Sequence, residues 1–77
     1  MLVKIYTVRD HIADENGPLF QAKNDAVAMR LYEDLLKSCM ACKQDFELIC
    51  VGSWDTEDLG SIKSNVYPVI LQEEKNV

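Results

Sequence analysis

Two cysteines three residues apart form the clearest metal-binding pattern in the chain. Cys39 and Cys42 make a CxxC motif, which can supply two of the four ligands of a tetrahedral zinc site. By count, the other two ligands would be Cys50 and His11, but no spacing in the sequence brings these residues together. A single CxxC motif without a second pair is a weak signal for zinc. We therefore predict no metal site and keep zinc at Cys39 and Cys42 as the alternative.

Acid–base catalysis around the single histidine is a second candidate chemistry. Asp10 and His11 are adjacent, and a carboxylate beside an imidazole can transfer protons near neutral pH. The carboxylates Asp55, Glu57 and Asp58 lack the ligand spacing of a calcium loop. The chain has no nucleophile motif and no glycine-rich phosphate loop. We therefore predict no catalytic residues, no enzymatic activity, no cofactor and no small-molecule substrate.

Basic and aromatic residues favour a third possibility, binding of a single-stranded nucleic acid. Single strands are held by bases stacked on aromatic side chains along a basic groove. Lys4 and Tyr6 share one face of the first predicted strand, and we expect Trp54 to lie near them. Burial in the core is the competing interpretation, because aromatic residues dominate burial. The residues considered for this role are Lys4, Tyr6, Arg9, Lys23, Trp54, Lys63 and Tyr67.

Length and charge limit what the chain can do. Its 77 residues predict a single domain over residues 1–77, with a frayed tail at about 72–77 and no room for a Rossmann fold or a barrel. The net charge of −5 is opposite to that of proteins that coat DNA nonspecifically. No apolar run has the length of a signal peptide or a membrane span, so we expect a cytoplasmic protein with no membrane partner.

One helix and four strands are expected to position these residues. Asn24 is a good N-cap for the helix, and Pro68 places the last strand at a sheet edge. The sequence predicts an α+β fold, in which a small antiparallel sheet carries one packed helix in the order β-β-α-β-β. The predicted strands cover residues 2–9, 19–23, 45–55 and 61–71, the helix covers 25–38, and a hairpin turn covers 56–60.

Alternation along the strand at 45–55 predicts which of its side chains share a face. One face is expected to carry four apolar residues, and the other carries Ile49 and Val51 among polar residues. The four residues expected together are Phe46, Leu48, Cys50 and Trp54.

The predicted helix has more apolar surface than one sheet face covers. Met29, Tyr32 and Leu36 widen its apolar sector to about half of the helix circumference. Either a loop covers this flank, or a second copy does, which predicts a homodimer through Met29, Tyr32 and Leu36. The predicted core stripe consists of Val27, Ala28, Leu31 and Leu35.

Three segments in order resemble the small nonstructural proteins of microviruses, the gokushovirus type of single-stranded DNA phage. They are the strand KIYTVRD, the pattern P-x-F-x-A-x-N-D-A-x-A-x-R from Pro18 to Arg30, and L-x-x-x-G-x-W-D from Leu48 to Asp55. The resemblance covers residues 1 to about 71. It implies a phage accessory protein that is made in the infected bacterium and not built into the capsid. It also implies a role in viral single-stranded DNA synthesis or its coupling to packaging.

The resemblance implies no catalytic residues and leaves two function hypotheses. In the first, the protein binds single-stranded DNA or replication proteins in the cytoplasm of the infected host. Arg30, a basic residue on the polar helix face, joins the nucleic-acid candidates in this hypothesis. In the second, the protein is a homodimeric interaction module that acts on a host or phage protein without touching DNA. A combination of the two is favoured, in which the residues support dimerisation better than DNA binding. The full nucleic-acid candidate set is Lys4, Tyr6, Arg9, Lys23, Arg30 and Trp54.

Overall fold

Strands dominate the computed structural model, which describes residues 1–37 and 44–70. The predicted α+β class is wrong, because the protein is mostly β: three strands of 9, 10 and 11 residues form a curled antiparallel sheet beside one 11-residue helix. The helix is shorter than predicted and ends at Leu35. Only residues 56 and 57 separate the last two strands, whereas the expected turn covers 56–60. In chain order the elements are β1 Leu2–Asp10, β2 Glu15–Asn16, β3 Phe20–Ala22, α1 Asp25–Leu35, β4 Phe46–Asp55 and β5 Asp58–Pro68.

Every strand pairing in the sheet is antiparallel, and β1 and β4 lie at its centre. The strand order is β2-β1-β4-β5, and β3 also pairs with β1, beyond β2. Gly17, which follows β2, is still bound to β1: its N–H donates to the Val8 carbonyl at 2.9 Å, and its own carbonyl accepts from the Thr7 hydroxyl at 2.8 Å. The next residue, Pro18, has no N–H to donate, and the segment that returns along β1 is divided there into two short strands.

A bulge at Val51 divides β4 into two halves. Tyr6 pairs with Cys50 while its neighbour Ile5 pairs with Gly52, which leaves Val51 as an extra residue on β4. An extra residue reverses the faces of all side chains beyond it. Trp54 pairs with Val3 and so lies on the face opposite to Tyr6 and Cys50. The prediction that Trp54 shares a face with Phe46, Leu48 and Cys50 is therefore wrong.

At Gly52, β5 passes too close to β4 to leave room for a side chain. A Cβ atom at this position would lie 2.1 Å from the carbonyl oxygen of Lys63. Contacts below 3.0 Å are essentially never seen for real Cβ atoms, so only glycine fits here without displacing β5.

Helix α1 begins as predicted and packs on the sheet by a face that includes part of the predicted stripe: Ala28 is buried and Val27 packs against the core, as predicted. The Asn24 side chain caps it by accepting from the Val27 N–H at 3.0 Å. Ala28, Tyr32 and Leu36 are buried. Of the predicted stripe, Leu31 and Leu35 face outward, with 42% and 62% of their surfaces exposed. The predicted dimer surface is therefore wrong for Tyr32 and Leu36, because both side chains belong to the core of the same chain; Met29 is half-buried against that core.

The core lies between α1 and the sheet. Tyr6 is fully buried at its centre and stacks on Phe20, with 5.7 Å between the ring centroids. No helix within residues 1–37 and 44–70 is long and apolar enough to cross a membrane. The core residues are Tyr6, Ala22, Ala28, Tyr32, Leu36, Leu48 and Cys50.

Candidate functional site

A cluster of four polar side chains, on the face of the sheet that α1 covers, joins the start of α1 to β1 and β5. Asp25, the first residue of the helix, accepts a hydrogen bond from the Tyr6 hydroxyl at 2.6 Å. The Tyr67 hydroxyl of β5 lies 3.0 Å from both carboxylate oxygens of Asp25. The Lys4 ammonium donates to the Tyr67 hydroxyl at 2.9 Å and lies 3.6 Å from the Asp25 carboxylate. The cluster therefore connects β1, α1 and β5.

The pKa values of three ionisable groups in this cluster are shifted by their neighbours and by burial. Burial would raise the pKa of Asp25, but the hydroxyls of Tyr6 and Tyr67 and the Lys4 ammonium outweigh it and hold that pKa below its ordinary value. The Tyr67 hydroxyl raises the pKa of Lys4, helped by the charge of Asp25 and opposed by burial. Burial and the Asp25 carboxylate raise the pKa of Tyr6. All three shifts point away from neutrality, so the cluster orients the helix and is unsuited to proton transfer near pH 7.

Asp25 also explains the rotation of the helix. The Asp25 side chain must face the tyrosine hydroxyls of the sheet. Ala28, Tyr32 and Leu36 follow it at helical spacing on the same face, so they are the ones that become buried. The hydroxyl partners of Asp25 lie on strands that are distant in sequence, so the pattern of apolar residues in the helix does not reveal them. That pattern alone predicted that Leu31 and Leu35 would be buried.

Three of the predicted nucleic-acid residues have partners within the chain. Lys4 and Tyr6 belong to the polar cluster, and the Tyr6 side chain is completely buried. Arg9 forms an ion pair with Asp14 and lies 3.3 Å from the Asn16 side-chain oxygen. These contacts within the chain give Lys4, Tyr6 and Arg9 a structural role in β1.

Trp54 lies on the face of the sheet that α1 does not cover, away from Lys4 and Tyr6. Its indole N–H donates to the Gln21 side-chain oxygen at 3.2 Å. The indole is half-buried and borders a shallow pocket of about 210 Å³, in which Leu19 is exposed over 65% of its surface. The bulge at Val51 creates this site, and no periodic pattern in the sequence signals it. The pocket is lined by Ile5, Leu19, Phe20, Gln21 and Trp54.

The two remaining basic candidates, Lys23 and Arg30, are exposed. Lys23 directly follows β3, where Ala22 pairs with Lys4, so it lies at the end of the sheet that also carries Trp54. Arg30 lies in the middle of α1, on the covered side of the sheet. Of the six candidates, the fold therefore brings Lys23 and Trp54 to the same end and leaves Arg30 apart from them.

The candidate acid–base and metal residues lie elsewhere. His11 contacts Glu47, with 2.9 Å between Nε2 and the carboxylate, while Asp10 accepts from the backbone N–H groups of Ile12 and Ala13 at 3.0 Å. Asp10 and His11 thus have separate partners. Within residues 1–37 and 44–70 no group of three or more histidine, cysteine or acidic residues could hold a metal ion. The alternative zinc ligands Cys39 and Cys42 lie outside the described residues.

Comparison with known proteins places almost the whole chain in one phage family. The profile of the family described as "Phage ORF5 protein" matches residues 3–77. No curated protein and no solved structure matches the chain. A match over this length shows that the chain belongs to the Phage ORF5 protein family.

Proposed function

We propose that this phage protein is a nonenzymatic accessory factor that binds single-stranded DNA in the cytoplasm of the infected bacterium. Its role would be in viral single-stranded DNA synthesis or the coupling of that synthesis to packaging. The observation that carries the proposal is the Trp54 indole beside an open pocket on the uncovered face of the sheet.

The geometry around Trp54 suits an unpaired base. The hydrogen bond from the indole N–H to Gln21 holds the ring at the pocket, while Ile5 and Leu19 supply apolar walls. A base stacked on an aromatic side chain contributes about 1–3 kcal/mol, whatever its sequence. The Gln21 amide, already oriented by Trp54, offers hydrogen-bonding groups to a base edge. This arrangement favours single strands, because bases in a duplex are already stacked.

The charge of the chain sets the expected electrostatic contribution. A net charge of −5 supports only a few phosphate contacts, and Lys23 is the basic residue placed at the Trp54 end of the sheet. Each phosphate contact on a single strand contributes roughly 0.7 to the slope of log K against log salt. We therefore expect weak binding that depends mainly on stacking, with a slope of about −0.7 to −1.4 for one or two contacts.

Intrinsic fluorescence tests the proposal directly, because Trp54 is the only tryptophan in the chain. Titration with an oligothymidylate at low salt should quench its emission as a base stacks on the indole. In anisotropy measurements with labelled oligonucleotide, Trp54→Leu should weaken binding by about 5- to 150-fold, the loss of 1–3 kcal/mol. Trp54→Phe keeps an aromatic face and should retain most of the affinity.

Two further variants make the test specific. Lys23→Gln should flatten the salt dependence by about 0.7 in slope. Leu35→Ser changes an exposed apolar residue on α1 and should leave binding unchanged. A complete lack of quenching and of anisotropy change at tens of micromolar protein, about 10⁻⁵ M, would contradict direct DNA binding.

The alternative function is a homodimeric interaction module that acts on a host or phage protein without DNA contact. It is favoured by exposed apolar side chains on β5: Leu59, Ile62 and Val66 show 82%, 65% and 67% of their surfaces to solvent. Exposed apolar patches of this kind mark interaction sites on soluble proteins. Self-association without any response to oligonucleotide would support this alternative over the first.

A further inference from the structure

The strand β5 is the longest in the sheet and lies at its edge. Within the described part of the chain β4 is the only strand that pairs with it, and nine of its 11 residues are exposed. A long edge strand presents a row of backbone N–H and C=O groups that can pair with another strand. Natural proteins usually shorten, interrupt or charge such edges to prevent this pairing.

The opposite edge of the sheet is shortened and interrupted, whereas β5 keeps its full length, although its pairing with β4 shifts register between Cys50 and Gly52 and between Ser53 and Asp55. The strands on that side, β2 and β3, have only two and three residues, and Gly17-Pro18-Leu19 separates them. Between Leu59 and Ile70, in contrast, the one charged residue is Lys63. In a chain of net charge −5, a stretch without carboxylates lacks the repulsion that would keep two copies apart.

The register of β5 against β4 defines the face of its exposed apolar residues. Ser64 pairs with Gly52 and Pro68 with Ile49, on the sheet face that α1 does not cover. Side chains two residues apart in a strand lie on the same face, so Ile62 and Val66 share the face of Ser64 and Pro68. They lie two residues on either side of Ser64. This spacing is symmetric about Ser64, as a two-fold strand pairing requires.

We propose that β5 pairs antiparallel with β5 of a second copy of the chain, about a two-fold axis at Ser64. In this register Ser64 faces its counterpart, Ile62 faces Val66, and Lys63 faces Asn65. Directly opposed side chains in an antiparallel pair lie close enough to pack, so each Ile62–Val66 pair covers two exposed side chains. The pairing joins the two sheets into one and does not depend on DNA binding.

Neighbouring registers are less favourable. An axis at Lys63 brings two lysines face to face, and like charges directly opposed are destabilising. An axis at Asn65 places Ile62 opposite Pro68, which has no N–H. The Val69 N–H donates to the Leu48 carbonyl at 2.9 Å, so the nitrogen of the preceding Pro68 is directed away from β4. Pro68 therefore ends the part of the edge available for pairing.

Light scattering tests the assembly. The wild-type chain should have twice the monomer mass of 8.8 kDa at micromolar concentration. Val66→Lys puts a charge into both symmetric contacts and should raise the dimer dissociation constant on the order of 100-fold. Leu35→Lys is the matched control, because Leu35 is similarly exposed on α1, at 62% against 67%, and should leave the dimer intact.

Cysteine cross-linking tests the register. In a chain carrying Cys39→Ser and Cys42→Ser, Ser64→Cys should form a disulfide-linked dimer with oxidised glutathione, because a two-fold axis brings the two side chains together. Lys63→Cys should cross-link far more slowly, since its two copies lie on the diagonal, about 7–8 Å apart.

Three results would overturn the proposal. The first is a monomer mass for the wild-type chain at the same micromolar concentration. The second is equal behaviour of Val66→Lys and Leu35→Lys, which would place the contact elsewhere. The third is cross-linking of Lys63→Cys at least as fast as that of Ser64→Cys, which would exclude this register.

Discussion

Replacing Gly52 by alanine tests whether the close approach of β5 to β4 holds the sheet together. The new Cβ would lie 2.1 Å from the Lys63 carbonyl oxygen, against a practical limit of 3.0 Å. Relief requires β5 to move by about 1 Å, and the obstacle is backbone, which cannot rotate away as a side chain would.

The size of the effect follows from two opposing terms. Overpacking costs about 1–3 kcal/mol, and hydrogen bonds strained between β4 and β5 add about 1 kcal/mol. Alanine also lowers the backbone entropy of the unfolded chain, which stabilises the folded state by roughly 0.4–1 kcal/mol. We expect a net loss of about 1–3.5 kcal/mol in the free energy of unfolding. For a domain of this size that lowers Tm by on the order of 5–25 °C.

Urea denaturation followed by far-ultraviolet circular dichroism measures this loss. Gly60→Ala is the matched control, because its Cβ would meet only the Asp58 carboxylate at 3.7 Å, an ordinary contact. We expect Gly60→Ala to stay within about 0.5 kcal/mol of the wild type. If Gly52→Ala were equally harmless, the reasoning about the close contact would be refuted.

Two further predictions concern the start of α1, and both are measured by denaturation. Asn24→Ala removes the side-chain acceptor of the Val27 N–H and should cost about 1 kcal/mol; an unchanged midpoint would show that the cap contributes nothing. Asp25→Asn should destabilise the protein most above pH ~4, because the lowered pKa of Asp25 gives stability that is present above its unfolded pKa and lost as the pH falls through the folded one. Since 40% of the Asp25 side chain is exposed, solvent screening limits this effect to about 1 kcal/mol, and a difference from wild type that persists unchanged at pH 2 would contradict it.

Local patterns predicted the elements well. The strand at 2–9, the cap at Asn24 and the edge position of Pro68 all follow from residue type and spacing, and the structure confirms them. The closest agreement is at the helix start, where one side chain and one backbone N–H decide the geometry.

The differences between the predicted and the observed fold come from contacts between residues that are distant in sequence. The bulge at Val51 is defined by pairing with β1, so simple alternation put Trp54 on the wrong face. The helix rotation is decided by Asp25, whose hydroxyl partners lie at Tyr6 and Tyr67. The candidate DNA site depends on the bulge, since it exists only because Trp54 is turned away from the helix.

The polar cluster also bears on how the molecule folds. Tyr67 lies 42 residues from Asp25 and 63 from Lys4, so these hydrogen bonds close long loops of the chain. Contacts of such separation form late in folding, since loop-closure entropy must be lost first. The start of α1 and the edge strand β5 are therefore expected to pack against the rest of the protein in the same step. In native-state hydrogen exchange, α1 and β5 are expected to open as one cooperative unit.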